Sequence, residues 1–149
     1  MTWRYLALAA IAAVAAIGAS TGASAGSLVR VTSNGRVSVE TVVEFGNNLK
    51  PVVIEERSQI NIANIIEIGF TGSVDATIIQ TGTRNFANIV QSGTTSSAVI
   101  GQFGGSNTAL ITQTGNVTEA LLVQVGDMNK GTLSQFGRLN WAAIFQFGW

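Results

Sequence analysis

Seven glutamines stand eleven residues apart: Gln80, Gln91, Gln102, Gln113, Gln124, Gln135 and Gln146. A primary amide carries two N–H donors and an acceptor oxygen. A column of amides brought into register therefore hydrogen-bonds to itself, each donating to one neighbour and accepting from the other. Asn61, Asn85, Asn107, Asn129 and Asn140 recur between them and offer the same chemistry. A buried amide without a partner costs about 1–3 kcal/mol, so such columns are tolerated inside a fold only when stacked. This is structural chemistry. The chain has no histidine and no cysteine, which removes the usual general base and nucleophile. Glu55 and Glu56 are adjacent, so on a strand they would face opposite sides. Asp127 follows Gly126 as a turn residue, and Gly104-Gly105 is an isolated fragment of the calcium-binding nonapeptide pattern. No residue is assigned to catalysis, a cofactor or a metal. Eight basic and eight acidic residues balance, leaving no basic stripe for nucleic acid.

Each of the seven glutamines is followed two residues later by glycine: Gly82, Gly93, Gly104, Gly115, Gly126, Gly137 and Gly148. The unit reads Q-x-G-x-x-N-x-A-x-x-x-Q, and a fixed short period marks a stacked repeat. Within it Asn85, Ala87, Ile89 and Gln91 share one parity and Phe86, Asn88 and Val90 the other. Period two predicts a β-strand with the regular set facing inward. Glycine at a fixed offset predicts a sharp arc, because it reaches positive φ without steric cost. Strand, arc, strand, arc closes a rung of twenty-two residues, with the next rung about 4.8 Å above it. The fold class is all-β: a two-sided, cross-β, amyloid-like β-solenoid. An antiparallel meander would not require identical residues to recur in one column.

Towards the N-terminus the repeat degrades. Glu67 takes a glutamine position after Asn61, Ala63 and Ile65, and it lies thirteen residues before Gln80. Ser38 to Glu44 and Leu49 to Glu55 read as two further strands, the second with Pro51 facing inward. Eight clear strands and these two predict four or five rungs. Glu56 and Glu67 stand in ladder positions; facing inward, desolvation would raise their pKa values and let neutral carboxyls join an amide ladder. Arg30, Arg36, Glu40, Glu44, Lys50, Glu55, Glu56 and Arg57 read as charges that guard this end against edge-to-edge growth. After Asn140 to Gln146 come Phe147, Gly148 and Trp149, which predicts an open edge at the other end. Residues 1–25 read as a secretion signal: Arg4, an apolar run from Leu6 to Ala19, and Ala23-Ser24-Ala25 as cleavage site. That run is short of the ~20 residues of a membrane span, so no transmembrane segment is expected in a mature chain starting near Gly26. Residues 26–55 read as leader and degenerate repeats, and residues 56–149 as the regular solenoid.

The tandem unit behind a signal peptide resembles the curlin repeat of curli fibre subunits over roughly residues 56–149. The resemblance implies an exported, cell-surface protein that polymerises with itself into functional amyloid supporting adhesion and biofilm matrix. It also implies a second curlin subunit, nucleator or major, and an export and chaperone system as partners. The stretch Gly26 to Ser33 lacks the glycine-rich leader of the major subunit, and the basic C-terminal segment of the nucleator is absent. A secreted monomeric β-solenoid adhesin is the alternative; it would need capped ends and one flat, repeated outer column.

Overall fold

The computed structural model describes residues 14–19, 29–33, 38–46, 50, 52–57, 59–69 and 72–149. Every element among them is a strand: β1 (Val14–Ala19), β2 (Val29–Ser33), β3 (Ser38–Gly46), β4 (Val52–Arg57), β5 (Asn61–Gly69), β6 (Val74–Thr83), β7 (Phe86–Gly105), β8 (Thr108–Val125) and β9 (Lys130–Phe147). All pairings are parallel. Parallel strands need a crossover between them, and here each crossover is the strand of the opposite face. β7, β8 and β9 bend without losing their ladder, so each supplies two arms. The sheet order β1-β3-β5-β7-β6-β4-β2 thus runs up one face, turns through β7 and descends the other.

The register is the repeat itself. Ala87 lies on Ala109, Gln91 on Gln113 and Gln102 on Gln124, each twenty-two residues on. Nearer the N-terminus the step lengthens, Val42 lying on Ile65 and Ala63 on Ala87. β3 with β4, β5 with β6, then β7, β8 and β9 make five rungs, and the stack therefore includes strands before residue 56. Inside, Ile54, Ile78, Ile100 and Leu122 line one arm, and Val42, Ile65, Ile89, Ile111 and Leu133 the other, all buried. Ala63, Ala76, Ala87, Ala98 and Ala109 alternate with them and are fully buried. The small residue leaves room for the branched one facing it across a thin interior.

The corners explain the glycines, though not all in the expected way. Gly82, Gly104, Gly126 and Gly137 take φ of 120, 126, 101 and 130, the left-handed region open to glycine. Gly93 and Gly115 do not; there a Cβ would run into the carbonyl of the glycine one rung on, Gly115 or Gly137. Close stacking of backbone on backbone, not φ, selects glycine at those two corners. In the other corners Arg84, Ser106 and Met128 stand at φ 56, 60 and 58, and Ile60 at 60. Asp127 closes one such corner by accepting from the Gly105 N–H at 2.6 Å.

Two expectations for the N-terminal part change. In β4 the buried residues are Val52, Ile54 and Glu56, whereas Val53 and Glu55 face outward. The strand runs one residue out of phase with the reading that turned Pro51 inward, because Glu56 stacks on Gln80. Glu40, Glu44 and Glu56 are not solvated charges either; they are 1%, 7% and 1% exposed. β1 lies parallel on β3, with Gly18 opposite Glu44, inside the stretch read as an export signal. Pro51 itself, the cleavage motif at 23–25, Gly26, and Phe70 and Thr71 of the long arc lie outside the described residues.

Candidate functional site

The glutamines sort into two ladders, one on each face. Gln80, Gln102, Gln124 and Gln146 stack on the second arms, and Gln91, Gln113 and Gln135 on the first. Gln80 Nε2 donates to Gln102 Oε1 at 2.7 Å, Gln102 to Gln124 at 2.8 Å and Gln124 to Gln146 at 2.6 Å. On the other face Gln91 donates to Gln113 at 2.7 Å and Gln113 to Gln135 at 2.8 Å. The second N–H crosses the interior. Gln102, Gln124, Gln146 and Gln135 donate to the carbonyls of Phe86, Thr108, Lys130 and Glu119 at 2.9–3.1 Å. Gln80, Gln102 and Gln124 therefore clip the two sheets together while extending their own column. Gln80, Gln91, Gln102, Gln113 and Gln124 are fully buried, and such burial is tolerated because the amides are hydrogen-bonded.

The asparagines work differently. Asn61 Oδ1 accepts from the backbone N–H of Asn85, Asn85 Oδ1 from that of Asn107, and Asn107 Oδ1 from that of Asn129, at 3.0–3.2 Å. Their Nδ2 groups reach corner carbonyls, Asn85 to Gly104 at 3.3 Å and Asn107 to Gly126 at 2.9 Å. The column is a corner clamp between side chain and backbone, with one amide–amide contact, Asn129 to Asn107 at 3.1 Å. Asn140 belongs to the other face. It stacks on Thr118, whose hydroxyl donates to Ser96 Oγ at 2.9 Å, and its Nδ2 has no partner among the described residues.

Both glutamine ladders run into carboxyls at the N-terminal side. Glu56 lies beneath Gln80; Glu67 lies beneath Gln91, and Glu44 beneath Glu67. Glu40, in the alanine column, faces Glu56. Burial, with Glu40 close by, pushes the Glu56 carboxyl up to about 8. Burial does the same to Glu67, helped by Glu44 and Asp75. The geometry at the boundary agrees. The Gln80 amide end lies 2.7 Å from Glu56 Oε1, so a protonated Glu56 donates to the Gln80 oxygen and leaves Gln80 Nε2 for Gln102. An ionised Glu56 instead draws the Gln80 nitrogen towards itself and interrupts that donation. Gln91 faces the same choice between Glu67 at 3.3 Å and Gln113. Glu40 and Glu44 escaped the sequence reading; counting back twenty-three residues from Glu67 would have placed Glu44.

The C-terminal rung is the exposed end. On its outer side β9 carries no strand among the described residues. Phe136, Leu139, Trp141, Phe145, Phe147 and Trp149, all between 58% and 104% exposed, decorate this rung and the tail beyond it.

The sequence profile of the Curlin associated repeat matches residues 75–104, 82–115 and 104–137. Residues 75–137 are thus similar to curlin repeats. No curated protein and no solved structure matches it. The curlin repeats run from β6 into the first arm of β9 and take in the glutamine ladders, while the carboxyl rungs stand before them. No helix among the described residues is long and apolar enough to cross a membrane.

Proposed function

We propose that this chain is a structural subunit of an extracellular, curli-type amyloid fibre, which elongates when a new copy adds a strand to an open β-edge and which supports cell adhesion and biofilm matrix. The observation that carries the reading is β9: a full-length strand bearing curlin-repeat residues, whose outer edge no further strand covers among the described residues. Such an edge templates an extended segment through main-chain hydrogen bonds, and side chains in register set specificity. A one-residue slip would turn every inner side chain outward, so the Gln and Asn columns serve as the register device for the joining strand. The partners are further copies of the chain, a second curlin subunit and an export system.

The test is a thioflavin time course on the exported chain, diluted from denaturant. A lag followed by growth, with the lag abolished by preformed fibres, is the expected outcome. A flat trace from a soluble, β-rich monomer would overturn the reading in favour of a monomeric solenoid.

A further inference from the structure

The two ends of the stack differ in hydrogen-bonding character, and the difference is complementary. At the C-terminal end Gln135 accepts from Gln113 and gives one N–H to the Glu119 carbonyl. In Gln91 and Gln113 an N–H continues to the next rung; in Gln135 the corresponding N–H has no acceptor among the described residues. At the N-terminal end Glu44 heads the same column, and its Oε1 is buried without a hydrogen-bond partner. Its neighbour on the outer side is Gly18 of β1, which has no side chain to offer.

We propose that successive copies join in register, β9 of one on β3 of the next, with the Gln135 amide donating to the Glu44 carboxyl across the junction. The inference rests on the fibre reading above and adds which edges meet and through which atoms. β1 already shows that the outer edge of β3 receives a parallel strand. In the exported chain, with residues 1–25 removed, the outer edge of β3 is open to the first arm of β9 of a second copy, whereas β2 still holds the outer edge of β4.

A corner glycine gives a second, independent register mark. Gly46, Gly93 and Gly115 each have the carbonyl of the next glycine, Gly69, Gly115 or Gly137, where a Cβ would stand. At Gly137 that space meets no backbone carbonyl; its nearest occupant is the Asn140 side chain at 3.4 Å. Placing Gln135 on Glu44 puts Gly137 on Gly46, and a carbonyl of the next copy then fills the space as in the other corners. The same alignment sets Leu133 on Val42, continuing the apolar column. The parallel chain direction allows only tail-to-head joining, so a fibre grown this way is polar.

Glu44 and Gln135 are four rungs apart within one copy, about 19 Å, so any direct coupling between them must act between copies. Fibres grown from a mixture of exported protein with ¹⁵N-labelled glutamine and exported protein with ¹³C-labelled glutamate should give a solid-state NMR cross-peak between Gln135 Nε2 and Glu44 Cδ. Fibres that form without this contact would overturn the junction while leaving the fibre reading intact; absence of wild-type fibres would overturn both. In seeded growth, Gln135→Glu should slow elongation about tenfold by replacing the donating amide with a second carboxyl opposite Glu44. Adding Glu44→Gln should restore the rate to within about twofold. An equal slowing in the single and double variants would also overturn the junction.

Discussion

The carboxyl rungs, β3 to β5, and the amide rungs, β7 to β9, use one backbone plan and fill the same column with different groups. In β7 to β9 the column is Gln91, Gln113 and Gln135; in β3 and β5 it is Glu44 and Glu67. An amide both donates and accepts, so its ladder is complete at any ordinary pH. A carboxylate only accepts, and burial keeps the Glu56 and Glu67 carboxyls protonated up to about pH 8. One half of the solenoid is therefore stable by composition and the other by protonation.

The sharpest way to break this contrast is to delete one member from each half. Gln102→Ala leaves a gap and strands the facing groups of Gln80 and Gln124, at a cost of about 3–4 kcal/mol. Glu67→Ala at pH 8 is expected to cost less than half of that, because it also removes a buried acid opposed by Glu44 and Asp75. Equal losses in chemical denaturation would mean the two halves do not differ.

Next in size is the response to pH. Below about pH 4.5 the Glu56 and Glu67 carboxyls are protonated in both the folded and the unfolded chain, and the stack has its full stability. Between 4.5 and about 8 the unfolded chain ionises first, so stability falls as pH rises; above about 8 the fall levels off. The expected loss across this window is on the order of a few kcal/mol. Glu56→Gln with Glu67→Gln should flatten the denaturation midpoint against pH, with Glu40, Glu44 and Asp75 left in place. An unchanged slope would show that these two groups titrate as solvated acids.

The smallest effect concerns the corners. Ile60 and Ser106 hold the same left-handed φ, 60, and Ile60 is a β-branched residue 48% exposed. Replacing it by glycine should stabilise the carboxyl half by about 1 kcal/mol, against roughly half of that for Ser106→Gly. A larger gain at Ser106 would locate the strain in the amide half instead.

Much of this was legible in the residues. The eleven-residue spacing of Gln80 to Gln146 implied stacking, alternation implied which side chains lie inside, and Glu56 and Glu67 were readable as ladder members. The phase of β4 was not, because Leu49 to Glu55 and Val52 to Glu56 are both apolar alternations; only pairing with β6 chooses between them. Glu40 and Glu44 were misread for a related reason. A lone glutamate near a sheet end has every prior of being solvated, and only the neighbouring carboxyl in the next rung reveals a column. The different use of asparagine was also hidden, since spacing cannot distinguish an amide that bonds to its like from one that clamps a backbone N–H.

The parallel ladder has a mechanical corollary. Because each rung touches only the rungs on either side, tension along the axis would detach them singly from an end, like links of equal length. Each release of about 22 residues would yield roughly 75 Å of slack, and single-molecule extension should show a sawtooth of that step. Rungs closed by amides would part at similar forces whatever the acidity, whereas those closed by Glu56 and Glu67 would part more easily in alkali. In alkali, load on such a stack would be shed first at its carboxyl rungs.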